Sequence, residues 1–174
     1  MAKPFKGLGG RMACLSKSVT GSPHVVHRAT RRDVKLMKAK FNIRTRMPNV
    51  PPSREDGQQV GAMRHRTREA LVSRGLPYIA GEAELVVSEL VTNAIVHSGG
   101  RKITLTLSLR GSFLRITVCD GGRGYTLSPD PPDAADEHGR GLILVQAIAD
   151  ERGGSWGVTD AGSTTWCELD LAVG

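Results

Sequence analysis

Ile79-Ala-Gly-Glu-Ala-Glu-Leu-Val-Val-Ser-Glu-Leu-Val-Thr-Asn-Ala-Ile-Val-His97 is the most regular stretch of the chain. Ala83, Val86, Val87, Leu90, Val91, Ala94 and Ile95 recur at the three- and four-residue spacing of one helical face, which predicts an amphipathic helix over roughly 79–97. Ser98-Gly99-Gly100 stops it. On a helical wheel with Glu89 at zero, Asn93 falls at about 40° and His97 at about 80°, along the border of an apolar stripe covering about 60° to 240°. A carboxylate and an amide at the rim of a core suit a magnesium ion held among phosphates, because Mg²⁺ takes oxygen ligands and keeps several waters. From this stretch alone, a plain amphipathic helix with an exposed Glu–Asn pair is the favoured reading.

Downstream, Ile103, Leu105, Leu107 and Leu109 alternate with threonine and serine. After the turn Arg110-Gly111-Ser112, Leu114, Ile116 and Val118 alternate again, so the two runs predict a hairpin with one buried face. Asp120 has the parity of that face, where a carboxylate needs hydrogen-bond donors; the amine of adenine would be one, and a strand-end Asp capping a turn is the plainer alternative. Gly122 and Gly124 follow. Residues 121–138 hold three Pro and no apolar pattern, a loop long enough to suggest function. Gly139-Arg140-Gly141 then opens a helix over 142–150 that is apolar nearly all round and so expected to be buried. Its glycines and helix N-terminus can receive phosphate, with Arg140 adding charge. Two final strands are expected near 155–159 and 163–171.

Upstream, Ser53-Arg-Glu-Asp56 reads as a capped start to a polar, Arg-rich helix that Gly75 and Pro77 end. Phe41, Ile43 and Thr45 suggest a first strand, with a short helix near 31–40 before it. The expected organisation is a basic, largely disordered tail over 1–40 and one domain over 41–174. The fold class is α/β (α+β): a two-layer sandwich with helices on one face of a mixed, largely antiparallel sheet.

The formal charge of +7 on 174 residues invites a nucleic-acid reading. Its distribution points elsewhere: residues 1–40 carry ten Lys/Arg and one acid, the other 134 residues 14 and 16. Nucleic acid is therefore not an expected partner. Cys14, Cys119 and Cys167 are odd in number and lack metal-site spacing. With no apolar run of membrane-spanning length and no secretory pattern, a cytoplasmic location is expected and a membrane is not.

In order and context, Ser88–His97, Val118–Gly124 and His138–Leu142 resemble the N box and the two glycine boxes of the GHKL ATPases, which include gyrase and histidine kinases. The short form resembles the bacterial anti-sigma factor, serine/threonine-kinase branch. The resemblance covers roughly residues 41–171 and implies a Bergerat-type ATP-binding fold. It makes Glu89 the general base, Asn93 the Mg²⁺ ligand, Asp120 the adenine-binding acid, and Gly122 and Gly124 the walls of that pocket. Residues 125–138 would be the ATP lid, and Gly139, Arg140 and Gly141 the phosphate-binding turn. Gly162-Ser-Thr-Thr165 resembles a final threonine box, with Thr164 favoured by spacing and Thr165 by strand parity. The implied cofactors are ATP and Mg²⁺, and the implied partners a sigma factor and an antagonist protein. A homodimer is among the assemblies the resemblance admits. His65 lacks the surroundings of a phospho-acceptor, so histidine kinase chemistry is not expected.

Overall fold

In a computed structural model, the described residues are 33–44, 53–97, 102–121, 140–159 and 163–172, all within the compact unit Arg31–Gly174. The elements are β1 (Val34–Asn42), α1 (Arg54–Val72), a 3-10 turn (Pro77–Ile79), α2 (Ala80–His97), β2 (Lys102–Arg110), β3 (Phe113–Cys119), α3 (Arg140–Glu151), β4 (Ser155–Thr159) and β5 (Thr164–Asp170). The strands form one sheet in the order β1-β2-β3-β5-β4. Each of its four neighbour pairs is antiparallel.

The hairpin forms as the alternation requires. Leu105 faces Val118, and Leu107 faces Ile116. Gly111 in the connecting turn takes φ 63°, a left-handed conformation that glycine adopts without a Cβ clash. The aliphatic residues of this register lie on the side covered by helices, and Phe113 and Cys119 stand on the other. Ile103, Leu105, Leu107, Leu114, Ile116, Cys167 and Leu169 are fully buried there, against Val86, Val87, Leu90 and Val91 of α2. α2 packs over β2, β3 and β5, α1 over β1, and α3 over β4 and β5.

Ser53 caps α1: its Oγ accepts from the Asp56 N–H at 3.1 Å. Arg68 of α1 donates from Nε to Glu84 of α2 at 2.9 Å, tying the two helices at the surface. Gly75 (φ 73°) turns the chain between them.

Two expectations are corrected. Residues 34–42 form a strand rather than a short helix, and it starts seven residues before Phe41. Lys, Leu, Met and Ala favour helix only weakly, and eight paired residues of ladder against β2 outweigh that preference. A register shift between Lys35 and Met37 interrupts the alternation and hides the strand pattern in the sequence. The second correction concerns α3. Val145 and Ala149 are fully buried, but Ile143 is 56% and Leu144 38% exposed. α3 packs against α2 on one side and the sheet on another, and among the described residues no third layer covers its outer face.

Candidate functional site

α2 carries the first half of the site. Glu89 and Asn93 lie one turn apart and are both half-buried, between the fully buried Leu90 and the exposed Thr92. This is the border position that the wheel assigns to them. Helix regularity through this segment is supported by the apolar stripe, which is buried from Ala83 to Ile95.

β3 carries the second half. Its ladder extends one step past Cys119, because the Asp120 N–H donates to the Ser163 carbonyl at 3.1 Å. Asp120 is half-buried and continues the helix-side parity of Leu114, Ile116 and Val118. Gly121 then turns with φ 64°, and a Cβ there would sit 3.5 Å from the Lys102 carbonyl. The sequence reading missed Gly121, although an Asp-Gly pair at a strand end is itself a turn signal.

The register separates the two threonines. Thr165 faces Val118, on the helix side of the sheet shared with Asp120. Thr164 faces Cys119 and is on the opposite side. Of the two alternatives left open by the sequence, Thr165 is the one placed on the face of Asp120.

α3 meets α2 where the glycine turn enters the helix. Arg140 is its first residue and Gly141 its second. A Cβ on Gly141 would run into Glu89 Oε2, and would lie 3.4 Å from Glu89 Cδ. The hydrogen at this position leaves room for the carboxylate. A fold that brings residues 89 and 141 into van der Waals contact puts the acid of α2 beside the open N–H groups that begin α3. Glu82, two turns earlier on α2, pairs with Arg152 just beyond the C-terminal end of α3. Burial pushes the Glu82 carboxyl up, but the hydrogen bond and charge of Arg152 and a backbone bond outweigh it and hold the group below its ordinary value. The two helices are thus fixed antiparallel by contacts at both ends.

Gly122, Gly124 and Gly139 lie outside the described residues, as does the expected lid over 125–138. Among the described residues no three His, Cys, Asp or Glu side chains cluster as a metal site. Asn93, on the same helix edge as Glu89, carries an amide oxygen, a ligand type that Mg²⁺ accepts.

The profile of the histidine kinase-like ATPase domain matches residues 53–167. The chain belongs to that family. This match runs from the cap of α1 to the middle of β5, so it takes in both helices of the site and the strand that ends at Asp120. The chain is similar to blue-light-activated histidine kinase 2 of Erythrobacter litoralis (strain HTCC2594), with 33% identity over 99 residues. The alignment covers 54% of this chain and 28% of that protein, so the chain spans under a third of the length of the relative. Membership makes the domain an ATP-binding one. No helix among the described residues is long and apolar enough to cross a membrane.

Proposed function

We propose that the protein is a regulatory serine/threonine kinase: it binds Mg-ATP and transfers the γ-phosphoryl group to a hydroxyl on an antagonist protein, switching between that antagonist and a sigma factor. The observation that carries the reading is the contact of Glu89 with Gly141 at the head of α3. It puts a carboxylate next to the backbone that would hold the terminal phosphates.

Bound Mg-ATP would supply the transferable phosphoryl group and a cation that neutralises its charge. The residues of the chain position and polarise. Asp120 would accept a hydrogen bond from the exocyclic amine of adenine, and Thr165 lies on the same face of the sheet. Asn93 would offer its amide oxygen to the cation. The N–H groups at the start of α3 would hold the phosphates, as helix N-termini do. Glu89 takes the proton from the attacking hydroxyl, a role that asks for reach and correct protonation more than for strength. Phosphoryl transfer is mostly positioning and charge stabilisation, so this set is sufficient in kind.

The test is calorimetry with Mg-ATP on the wild type, Asp120→Ala and Glu89→Gln, followed by phosphoryl transfer from labelled ATP to candidate sigma-antagonist proteins. Asp120→Ala should lose nucleotide, while Glu89→Gln should keep it and lose transfer by about 10²- to 10⁴-fold. Unchanged transfer in Glu89→Gln would remove the general-base role. Binding without any transfer by the wild type would favour the alternative, a non-catalytic ATP-dependent partner-binding module.

A further inference from the structure

β1 ends the described sheet on one side. It is nine residues long, long for an edge strand, and edges of this length present a row of free N–H and C=O groups that another chain can pair with. Its side chains divide by face. Lys35, Lys38 and Lys40 stand opposite Ser108, Thr106 and Thr104 on the open side of the sheet. All three lysines are exposed, and none takes part in an ion pair or side-chain hydrogen bond among the described residues. Met37, Ala39 and Phe41 alternate with them on the helix side, where Ala39 is buried and the other two are half-buried. Among the described residues, β1 therefore offers one charged rail and one apolar rail along a single unpaired edge.

We infer that the β1 edge receives an extended segment of a partner protein in which acidic and apolar residues alternate. Such a segment would add an antiparallel or parallel strand. Its acids would stand beside the lysine rail and its apolar residues beside Met37 and Phe41, so that main-chain bonds give affinity and the alternation gives specificity. Charge complementarity selects this occupant over two others. A second copy pairing through the same edge would bring like charges beside one another on the open face, which destabilises cross-strand pairs. A single-stranded nucleic acid would want bases stacked on aromatic rings, and the residues facing the lysines across the ladder are Ser108, Thr106 and Thr104. The aromatic residues on that side lie farther from β1: Phe113 on β3, opposite Arg110, and Trp166 on β5, with the Arg115 guanidinium 4.1 Å from its ring centroid and Gly157 against it.

The charge distribution fits an ordered role for these lysines. Residues 1–32 hold seven Lys/Arg and no acid, while the other 142 residues hold 17 of each. Residues 33–174 are therefore neutral in sum, and the lysine rail is a local excess rather than a share of a general positive charge.

The experiment uses the full chain and a short peptide alternating Glu and Val. Two controls are a peptide alternating Lys and Val and one with the same Glu and Val in separate blocks. Affinity is read by fluorescence anisotropy, and the site by hydrogen exchange of the β1 amides. The alternating acidic peptide should bind at least about tenfold tighter than either control, the ratio expected from several cross-strand charge pairs, and should slow exchange in β1. K38E/K40E should invert the preference between the acidic and basic peptides while keeping the melting temperature. If that variant does not fold, a salt titration of the wild type replaces it: affinity for the acidic peptide must fall as salt rises. Equal affinity for both alternating peptides, or binding with no protection of β1, would reduce the lysines to a guard against aggregation. Two other results would also overturn the proposal: tighter binding of an oligouridine that K38E/K40E abolishes, or a wild-type dimer in sedimentation whose formation protects β1.

Discussion

Replacing Gly141 by alanine separates the roles of the α2–α3 contact. The added Cβ would collide with Glu89 Oε2 and sit 3.4 Å from Cδ and 3.7 Å from Cβ of the same side chain. The three nearest atoms all belong to one flexible side chain, which can swing aside without moving the backbone. Turning Glu89 aside costs about 0.5–1.5 kcal/mol if it leaves its rotamer, and alanine regains up to about 1 kcal/mol over glycine in a helix. The two nearly cancel, and the melting temperature should move by no more than about 4 °C. Turnover should respond differently. A carboxylate displaced by about 1 Å from a working geometry can cost about 10²-fold, equivalent to about 2.7 kcal/mol of barrier. The assay is phosphate release or transfer from labelled ATP, run as a double-mutant cycle with Glu89→Gln. In the Glu89→Gln background, Gly141→Ala should cost little more, because the group it disturbs is already disabled. Additive losses in the cycle, or full turnover in a folded Gly141→Ala, would refute the claim that Gly141 acts by leaving space for Glu89.

Gly154→Ala should behave in the opposite way. Its Cβ would run into the Glu168 carbonyl oxygen and sit 2.8 Å from that carbonyl carbon, backbone atoms that cannot swing aside, so about 1–3 kcal/mol of stability should be lost in a denaturant titration with little effect on nucleotide affinity per folded molecule. Glu82→Gln should flatten the acid limb of the stability curve. The Glu82 carboxyl is held below its ordinary value of 4.5, so its contribution is present above that pH and lost as pH falls through the lower folded value; urea melts between about pH 5 and 3 would show it, and an unchanged slope would count against the Arg152 pairing. Alkylation by iodoacetamide should reach Cys119 before Cys167, whose thiol burial pushes up to about 12; mass spectrometry of timed quenches reads the order.

Much of this protein was legible without coordinates where the signal is local and repeated. The α2 stripe from Ala83 to Ile95 fixes both the helix and which side of it is wet, so the border position of Glu89 and Asn93 follows from a wheel. The alternation in 103–109 and 114–118 fixes a hairpin and its inner face, because period two leaves one assignment of sides. Ser53 as a cap is likewise a local matter, readable from the residues that follow it. The order of the three boxes then placed the chain in the family that the profile match shows.

What tertiary structure alone decided depends on partners distant in the chain. Residues 34–42 are a strand because β2, sixty or more positions away, supplies the ladder, and intrinsic preference in that segment is too weak to resist it. The exposure of Ile143 and Leu144 is set by which described elements pack against α3, a property no hydrophobic count contains. The helix-side position of Thr165 rests on the register of β5 against β3, where a shift of one residue would have exchanged it with Thr164. The contact between Glu89 and Gly141 joins two segments whose separate patterns say nothing of each other. Sequence determined the elements and the residue types of the site, since both are written in short-range periodicity and motif; only the packing of α3 against α2 brought the carboxylate to the turn, since proximity across the chain is set by the whole core at once.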